Sequence, residues 1–421
     1  MRFDNKTIVI GICGGIAAYK VCDLIRELYR KGAERVIPIL TPNATQFVTP
    51  LTLQSLSRQA VYTDGLAVTE DGTPVHIAMA QQADALLILP ATANTLAKLA
   101  GGLADELVTT TFMTFTGKPV VIAPAMNTRM WDHPLTQQHC RTLKSLENVS
   151  FVDPTAGDLA CGETGAGHLA DMDSILIGLY QQLHPQKGLL QGIKATITAG
   201  GTKEPLDPVR LLTNQSSGKM GIALADELYA MGAQVNLVTT VTNYQDKPLS
   251  RPYTVHPVSR VREMADCLDT LFEETDLLIM AAAVSDFQPE AIATEKIKKV
   301  PGQPLHLTLT PTQDILAGLG QRKQPHQTII GFAAETQDLL NNAEAKLKEK
   351  HADAIVANDI SQPDIGMNAP DNEVTILFAN EPPVRLGKAP KEMIARQILI
   401  TLAEKLDGLN AKRSKATLSV G

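Results

Sequence analysis

The sequence predicts an α/β protein of two successive three-layer domains. Short, near-continuous apolar runs recur along the whole chain, and longer helical patterns alternate with them. Parallel strands buried on both faces and joined by crossover helices read this way. A stretch of Pro, Gly and polar residues, HPQKGLLQG at 184–192, interrupts the rhythm, which then resumes. The length of 421 residues suits two or three domains at roughly 150 residues each.

Taken in order, the first half is expected to form strands over 7–11, 36–41, 85–90 and 119–124, with helices over 16–30, 93–99, 135–146 and 174–183. Placing the boundary in the Pro/Gly turn gives domains 1–188 and 189–409. In the second, the runs at 194–199, 235–239, 277–282, 306–309, 328–332, 354–356 and 374–378 read as strands, and 220–231, 261–272, 339–350 and 391–405 as helices. Residues 410–421 are small and polar and read as a flexible tail. The halves share a layout but no repeated motif, as in a fusion of two domains.

Composition narrows the function. With 38 basic against 45 acidic residues, a net charge of −7, there is no electrostatic reason to expect nucleic acid as a partner. One Trp, seven Tyr and nine Phe are too few for a base-stacking surface. Five cysteines at irregular spacing, with no CxxC pair, suggest neither a disulfide framework nor a zinc site, so a reducing cytoplasm is expected. The start, MRFDNK then TIVIGICGGIAA, has the outline of a secretory signal, but Asp4 and the glycines interrupt it and it reads better as a strand running into a helix. No apolar run reaches the roughly 20 residues needed to span a bilayer, so no membrane is expected.

Ligands of open α/β sheets bind beyond the carboxyl ends of the strands, so the segments after each strand are the candidate sites. GICGGIAAYK (11–20) could present backbone N–H groups to an anion or make a tight packing turn. Cys13 stands at the second glycine of a GxGxxG fingerprint, which disfavours a nicotinamide dehydrogenase. PATANT, opening at Pro90, offers Thr92, Asn94 and Thr95 to a ligand or as helix caps. In PAMNTRMW, Asn127 is an uncharged amide that could hold a carboxylate or simply end a turn. AGDLACGETGAGH (156–168) puts Cys161 in a glycine-dense loop, where a thiol can act as acid or nucleophile. His76, at an expected helix start, is either a base matched to neutral pH or a satisfied structural histidine.

In the second half, TAGGTKEPLDPVRLLTNQSSGKMG (198–221) runs from a strand through a polar loop to Ser216, Ser217 and Gly218, with Lys219 in the next helical turn. This is a natural anion cradle, though Met220 excludes a Walker A loop. Asp286 follows a strand, and Lys296, Lys298 and Lys299 come shortly after, either as a solvated charged stretch or as partners of a nucleoside triphosphate and a divalent metal.

Together these segments resemble the bifunctional coenzyme A biosynthesis family, a phosphopantothenoylcysteine decarboxylase fused to a phosphopantothenate–cysteine ligase. GGIAAYK, PATANT, PAMNTRMW and ACGETGAGH look like FMN-dependent cysteine decarboxylases; TKEPLDPVR, NQSSGKMG, AAAVSDF, KIKK, GFAAET and ANDIS look like the ligase in the same order. The resemblance implies two Rossmann-like three-layer domains, an N-terminal flavoprotein and a C-terminal ligase. It maps FMN contacts to Gly15, Ile16, Thr41, Asn43, Thr92, Asn94, Thr95 and Ala125, with His76 as active-site histidine, Asn127 as carboxylate holder and Cys161 as proton donor. On the ligase side it maps Asn214 to the acyl intermediate, Lys296 to the departing charge, and the nucleotide to Asp286, Lys296, Thr312, Gln313, Asp314, Ile315, Phe332, Lys346 and Lys350. Thr312-Gln313 replaces the family's Asn-Pro, and Ser285 its usual alanine.

The implied activity is ligation of 4′-phosphopantothenate to cysteine with CTP and Mg²⁺, then decarboxylation to 4′-phosphopantetheine with FMN. The substrates would be small molecules, and the decarboxylase sites would form between subunits of a homo-oligomer. The metal ligands are not legible. Rival readings are a peptide cysteine decarboxylase, which the ligase-like half opposes, and a non-catalytic regulatory protein on the flavoprotein fold, which has no use for His76, Asn127 and Cys161 together.

Overall fold

The apolar runs become strands because both of their faces are covered. In the first, Thr7–Ile12, every residue is buried, and it pairs in parallel with Arg35–Leu40 on one side and Ala85–Ala91 on the other. The structure, a computed structural model, describes residues 1–158, 164–184, 186–244, 247–299, 301–335, 337–359, 366, 368–379 and 381–406; Cys161 and the expected tail 410–421 lie outside them. The chain divides into two units, Met1–Pro185 and Gln186–Gly421.

In the first unit Val120–Pro124 and Val149–Phe151 complete a five-stranded parallel sheet in the order Arg35–Leu40, Thr7–Ile12, Ala85–Ala91, Val120–Pro124, Val149–Phe151. Helix Val21–Arg30 buries Val21, Leu24, Ile25 and Leu28, an i, i+3, i+4, i+7 stripe; each such side chain contributes roughly 1.5–3 kcal/mol when fully buried. The expected helix over 16–30 starts as a 3₁₀ turn, Ile16–Lys20. Helices Pro50–Ser57 and Leu107–Thr114 are additions to the expected elements.

The second unit holds an eight-stranded sheet. Thr254–Pro257, Gln234–Thr239, Lys194–Ala199, Leu277–Met280, Thr328–Glu335 and Ala354–Asp359 run parallel in that order, and Asp371–Phe378 and Val384–Pro390 close it antiparallel. On one face, helices Lys219–Ala230 and Lys391–Lys405 bury Ile222, Leu224, Ile394, Ile398 and Leu402 in one core; on the other, Val261–Phe272 packs with Ile315–Gln321.

Two expectations are corrected. The 277–282 strand stops at Met280, because the chain turns there over the carboxyl end of the sheet. The 306–309 strand does not join the main sheet: Leu309–Pro311 pairs instead with Phe287–Pro289 as a separate ribbon. Residues 303–308 form no strand, and Leu305, Leu307 and Leu309 are all exposed, so the stretch lacks the buried, unbroken apolar run of a central strand. No described helix is long and apolar enough to cross a membrane.

Candidate active sites

Each sheet reverses its strand order beside its first strand, and each reversal opens a crevice at the carboxyl ends. In the first unit the chain leaves Thr7–Ile12 for one neighbour and crosses back to Ala85–Ala91 on the other side. Beyond these ends lies a cavity of about 800 Å³. Gly15, Ile16, Thr41, Asn43, Thr92, Asn94, Thr95 and Ala125 all line it, and so does Asn127.

Local chemistry explains the assembly. A Cβ on Gly14 would fall 2.5 Å from Asn43 Cβ, so only glycine lets the two strand-end turns meet. Thr92 caps helix Ala93–Gly101, accepting from Thr95 N at 3.2 Å, so capping and lining are combined in one residue. Asn127 Oδ1 accepts from Arg129 N at 2.9 Å and opens the short helix Thr128–Trp131. The antiparallel strands Thr155–Asp158 and Thr164–His168, which flank Cys161 in sequence, lie against this turn: Met126 N donates to Gly167 O at 2.9 Å. Gly167 has φ +147°, and a Cβ there would sit 2.3 Å from Met126 O.

The lining fits a flavin mononucleotide. Thr41 Oγ1 and Glu106 Oε1 are buried lining atoms with no hydrogen-bond partner, and an unsatisfied buried polar atom costs about 1–3 kcal/mol until a ligand group meets it. Burial pushes the Glu106 carboxyl up, against the pull of Lys98 Nζ at 3.8 Å. The turn at Gly15 and the start of helix Ala93–Gly101 present N–H groups suited to a phosphate, and Ile16, Ala17, Met126 and Met130 supply apolar wall for a ring system. Cys13, beneath the turn, has its thiol pushed up to about 12 by burial, so it is a core residue and not a nucleophile. His76 stands in the first turn of Val75–Gln82, half-buried, and does not line the cavity; its Nδ1 is buried with no hydrogen-bond partner.

The second unit has a cavity of about 470 Å³ at its own switch point. Asn214, Asp286, Thr312, Gln313, Asp314, Ile315, Phe332, Lys346 and Lys350 line it, whereas Lys296 does not. Asn214 Nδ2 donates to Val284 O at 3.0 Å, joining the NQSSG loop to the segment after Leu277–Met280. Ser285 N donates to Thr202 Oγ1 (2.8 Å), Ser285 Oγ to Phe287 O (2.7 Å) and Thr312 Oγ1 to Ser285 O (2.6 Å). Asp314 caps Ile315–Gln321 through Ala317 N (2.9 Å) and takes Lys350 Nζ at 2.5 Å. Burial alone would raise its carboxyl; the Lys350 ammonium and the cap outweigh it and hold the group below the ordinary carboxylate range. Lys346 Nζ pairs with Glu335 Oε1 at 2.7 Å.

The TKEPLDPVR motif has a supporting position. Buried Asp207 accepts from Val209 N and Arg210 N at 2.8 Å and from Ile297 N at 3.1 Å, and Arg210 Nη2 donates to Ile297 O at 2.5 Å. The pair therefore straps down the backbone that carries exposed Lys296. Lys391 lines the cavity and stands outside the expected residues, as does Asn372. The only sequence signal of Lys391 is a lysine at a helix start directly after Pro390, against the preference of the helix dipole. Among the described residues no group of three or more His, Cys, Asp or Glu could hold a metal ion.

Two family models match the chain: Flavoprotein over residues 2–184, and DNA/pantothenate metabolism flavoprotein C-terminal domain over residues 190–406. The chain is 40% identical over 376 residues to the coenzyme A biosynthesis bifunctional protein CoaBC of Bacillus subtilis (strain 168), covering 89% of this chain and 91% of that protein. With the protein of the same name from Haemophilus influenzae it shares 38% identity over 382 residues, 90% of this chain and 93% of that one. Among solved structures, the C-terminal domain of a CoaBC protein is similar at 35% identity and a TM-score of 0.43, covering 52% of this chain and 98% of that one.

Proposed function

Since the chain belongs to the bifunctional coenzyme A biosynthesis family, we propose that its second unit joins 4′-phosphopantothenate to cysteine at the expense of CTP and its first decarboxylates the product to 4′-phosphopantetheine. It is a flavoprotein enzyme with decarboxylase and ligase activities. The observation that supports the finer reading is that each unit has its own cavity at a strand-order reversal, lined by the residues expected for FMN in one and, Lys296 excepted, by those expected for a nucleotide in the other.

A carboxylate does not acylate an amine at neutral pH, because its leaving group would be oxide. The ligase half therefore transfers the cytidylyl group to the carboxylate, releasing pyrophosphate, and the cysteine amine displaces CMP to give the amide. Phe332, Lys346 and Lys350 bind the nucleotide, and Asn214, held by the Val284 carbonyl, orients the activated acyl group. Magnesium would neutralise triphosphate charge, an ion that commonly keeps much of its shell on water and substrate phosphates. Lys296, with the neighbouring backbone held at Ile297 by Asp207 and Arg210, would meet the departing charge through its long, exposed side chain.

Loss of CO₂ from a simple cysteine carboxylate would leave an unstabilised carbanion. Bound FMN would supply the two-electron chemistry that removes this obstacle, taking two electrons from the substrate and returning them after CO₂ is lost, with no net redox change. Asn127 holds the carboxylate without a full ion pair, and Cys161 returns the proton to carbon. His76 is the base, and its distance from the cavity lining of its own chain is accommodated if it serves a second copy. Leu66, Leu51, Ile16 and Leu103, 58–90% exposed, supply apolar surface for such a homo-oligomer.

The test is mass spectrometry of products after incubating the chain with 4′-phosphopantothenate, cysteine, CTP and Mg²⁺. The expected products are 4′-phosphopantetheine, CMP and pyrophosphate. Arrest at 4′-phosphopantothenoylcysteine would remove the decarboxylase assignment, and no product would remove the nucleotide assignment.

A further inference from the structure

The nucleotide cavity contains two kinds of lysine. Lys346 and Lys350 face Glu335 and Asp314 at 2.7 and 2.5 Å, so carboxylates already balance much of their charge. Lys219 and Lys391 instead meet main-chain carbonyls of one short segment: Lys219 Nζ donates to Asn368 O at 3.0 Å, and Lys391 Nζ to Ala369 O at 2.6 Å and Gly366 O at 3.2 Å. A carbonyl orients an ammonium without itself supplying a counter-charge, and Asp371 is an acid that acts on Lys391 in addition.

Both lysines also open a helix, Lys219–Ala230 and Lys391–Lys405. Two helix starts with positive dipole ends thus converge on one wall, each carrying a cation where a cation is disfavoured. Lys391 is only 4% exposed. Burial and then the neighbouring Lys219 bring its ammonium down to about 8, with Asp371 acting in the opposite sense. Burying one lysine beside another at a helix start works against folding, and an arriving polyanion reverses that cost.

We propose that Lys219 and Lys391 clamp the β- and γ-phosphates of the nucleoside triphosphate, while the Lys346 and Lys350 end of the cavity takes the nucleoside. This rests on reading the cavity as the ligase nucleotide site. In the first half-reaction a carboxylate oxygen bonds to the α-phosphorus, the bond from that phosphorus to the α,β-bridging oxygen breaks, and its electron pair departs on pyrophosphate. The clamp touches the oxygens on which that charge collects, so it binds substrate and promotes departure of the leaving group.

Calorimetric binding of CTP, CMP and pyrophosphate to the full chain with Mg²⁺ tests the assignment. Lys391→Met and Lys219→Gln should each weaken CTP and pyrophosphate about tenfold or more, as expected on losing a charge-assisted contact, and leave CMP within about twofold. Lys346→Met should weaken CTP and CMP together. Unchanged CTP binding in Lys391→Met and Lys219→Gln, or equal losses of CTP and CMP, overturns the clamp and leaves the cavity reading intact. A wild-type chain that binds neither nucleotide overturns the cavity reading itself. Should Lys391→Met lose its circular-dichroism signature of folding, Lys219→Gln decides by the same outcomes.

Discussion

Replacing Gly167 by Ala should separate the two activities. The residue sits at φ +147°, and the added Cβ would fall 2.3 Å from Met126 O, a backbone atom that cannot rotate away. Relief requires the Thr164–His168 strand and the Asn127 turn to part by about an ångström, breaking the 2.9 Å bond from Met126 N to Gly167 O. Overpacking of this kind costs about 1–3 kcal/mol and a left-handed alanine roughly 1–2 more, so a local penalty of about 2–5 kcal/mol is expected. Because the displaced group is the amide assigned to the substrate carboxylate, a shift of about an ångström translates into a decarboxylation rate lower by roughly 10²-fold. Flavin absorbance per chain should fall as well, since Gly167 lines that cavity. CTP-dependent ligation should stay within about twofold, because the ligase residues belong to the other unit. Decarboxylation at the wild-type rate would refute the reasoning, and equal loss of both activities would show that the two units do not fold independently.

Cys161→Ser should retain flavin and accumulate an oxidised, decarboxylated intermediate detectable by mass spectrometry; full turnover removes its role as proton donor. Lys296→Gln should cripple cytidylate formation, followed as pyrophosphate release, with flavin content unchanged; normal ligase turnover removes the assignment. Asp207→Asn keeps the shape of its side chain but weakens its bonds to Arg210 and the Ile297 amide, so ligase kcat should fall about tenfold or more while CMP affinity holds, a loss of about 1.5–3 kcal/mol in a charge-assisted contact corresponding to roughly 10- to 150-fold. A parallel loss of CMP affinity would place Asp207 in nucleotide binding instead.

The legible part of the fold consists of its buried runs, because burial on both faces leaves an uninterrupted apolar signature in residues such as Leu277–Met280. Edge and solvent-facing elements leave none. Val384–Pro390 carries Arg385, Gly387 and Lys388 and pairs antiparallel only because Asp371–Phe378 is there to receive it. The sites divide the same way. Thr92 was readable because a strand-end residue that caps the next helix is local in sequence, whereas Asp314 came from the resemblance alone, the helix it caps being short and unexpected. Lys391 was not readable, because its meaning depends on Lys219 and on carbonyls that Lys219 reaches across 149 residues.

The two departures from the family pattern show why a position-by-position comparison understates what a chain has changed. Ser285 and Thr312, read singly, are a hydroxyl beside Asp286 and a residue at a position that the resemblance assigns to the nucleotide. In the structure they are partners: Thr312 Oγ1 donates to Ser285 O, Ser285 Oγ donates to Phe287 O, and Thr312 N donates to Asp286 O at 2.9 Å. Alanine at 285 would forfeit the bond to Phe287, and proline at 313 would confine Thr312 to extended backbone. The Thr312 bond goes to the main-chain oxygen of Ser285 and would survive alanine there, so what the two positions share is the Asp286 turn, held from one side by Ser285 Oγ on Phe287 O and from the other by Thr312 on Ser285 O and Asp286 O. A double-mutant cycle on nucleotide binding measures whether they couple through it.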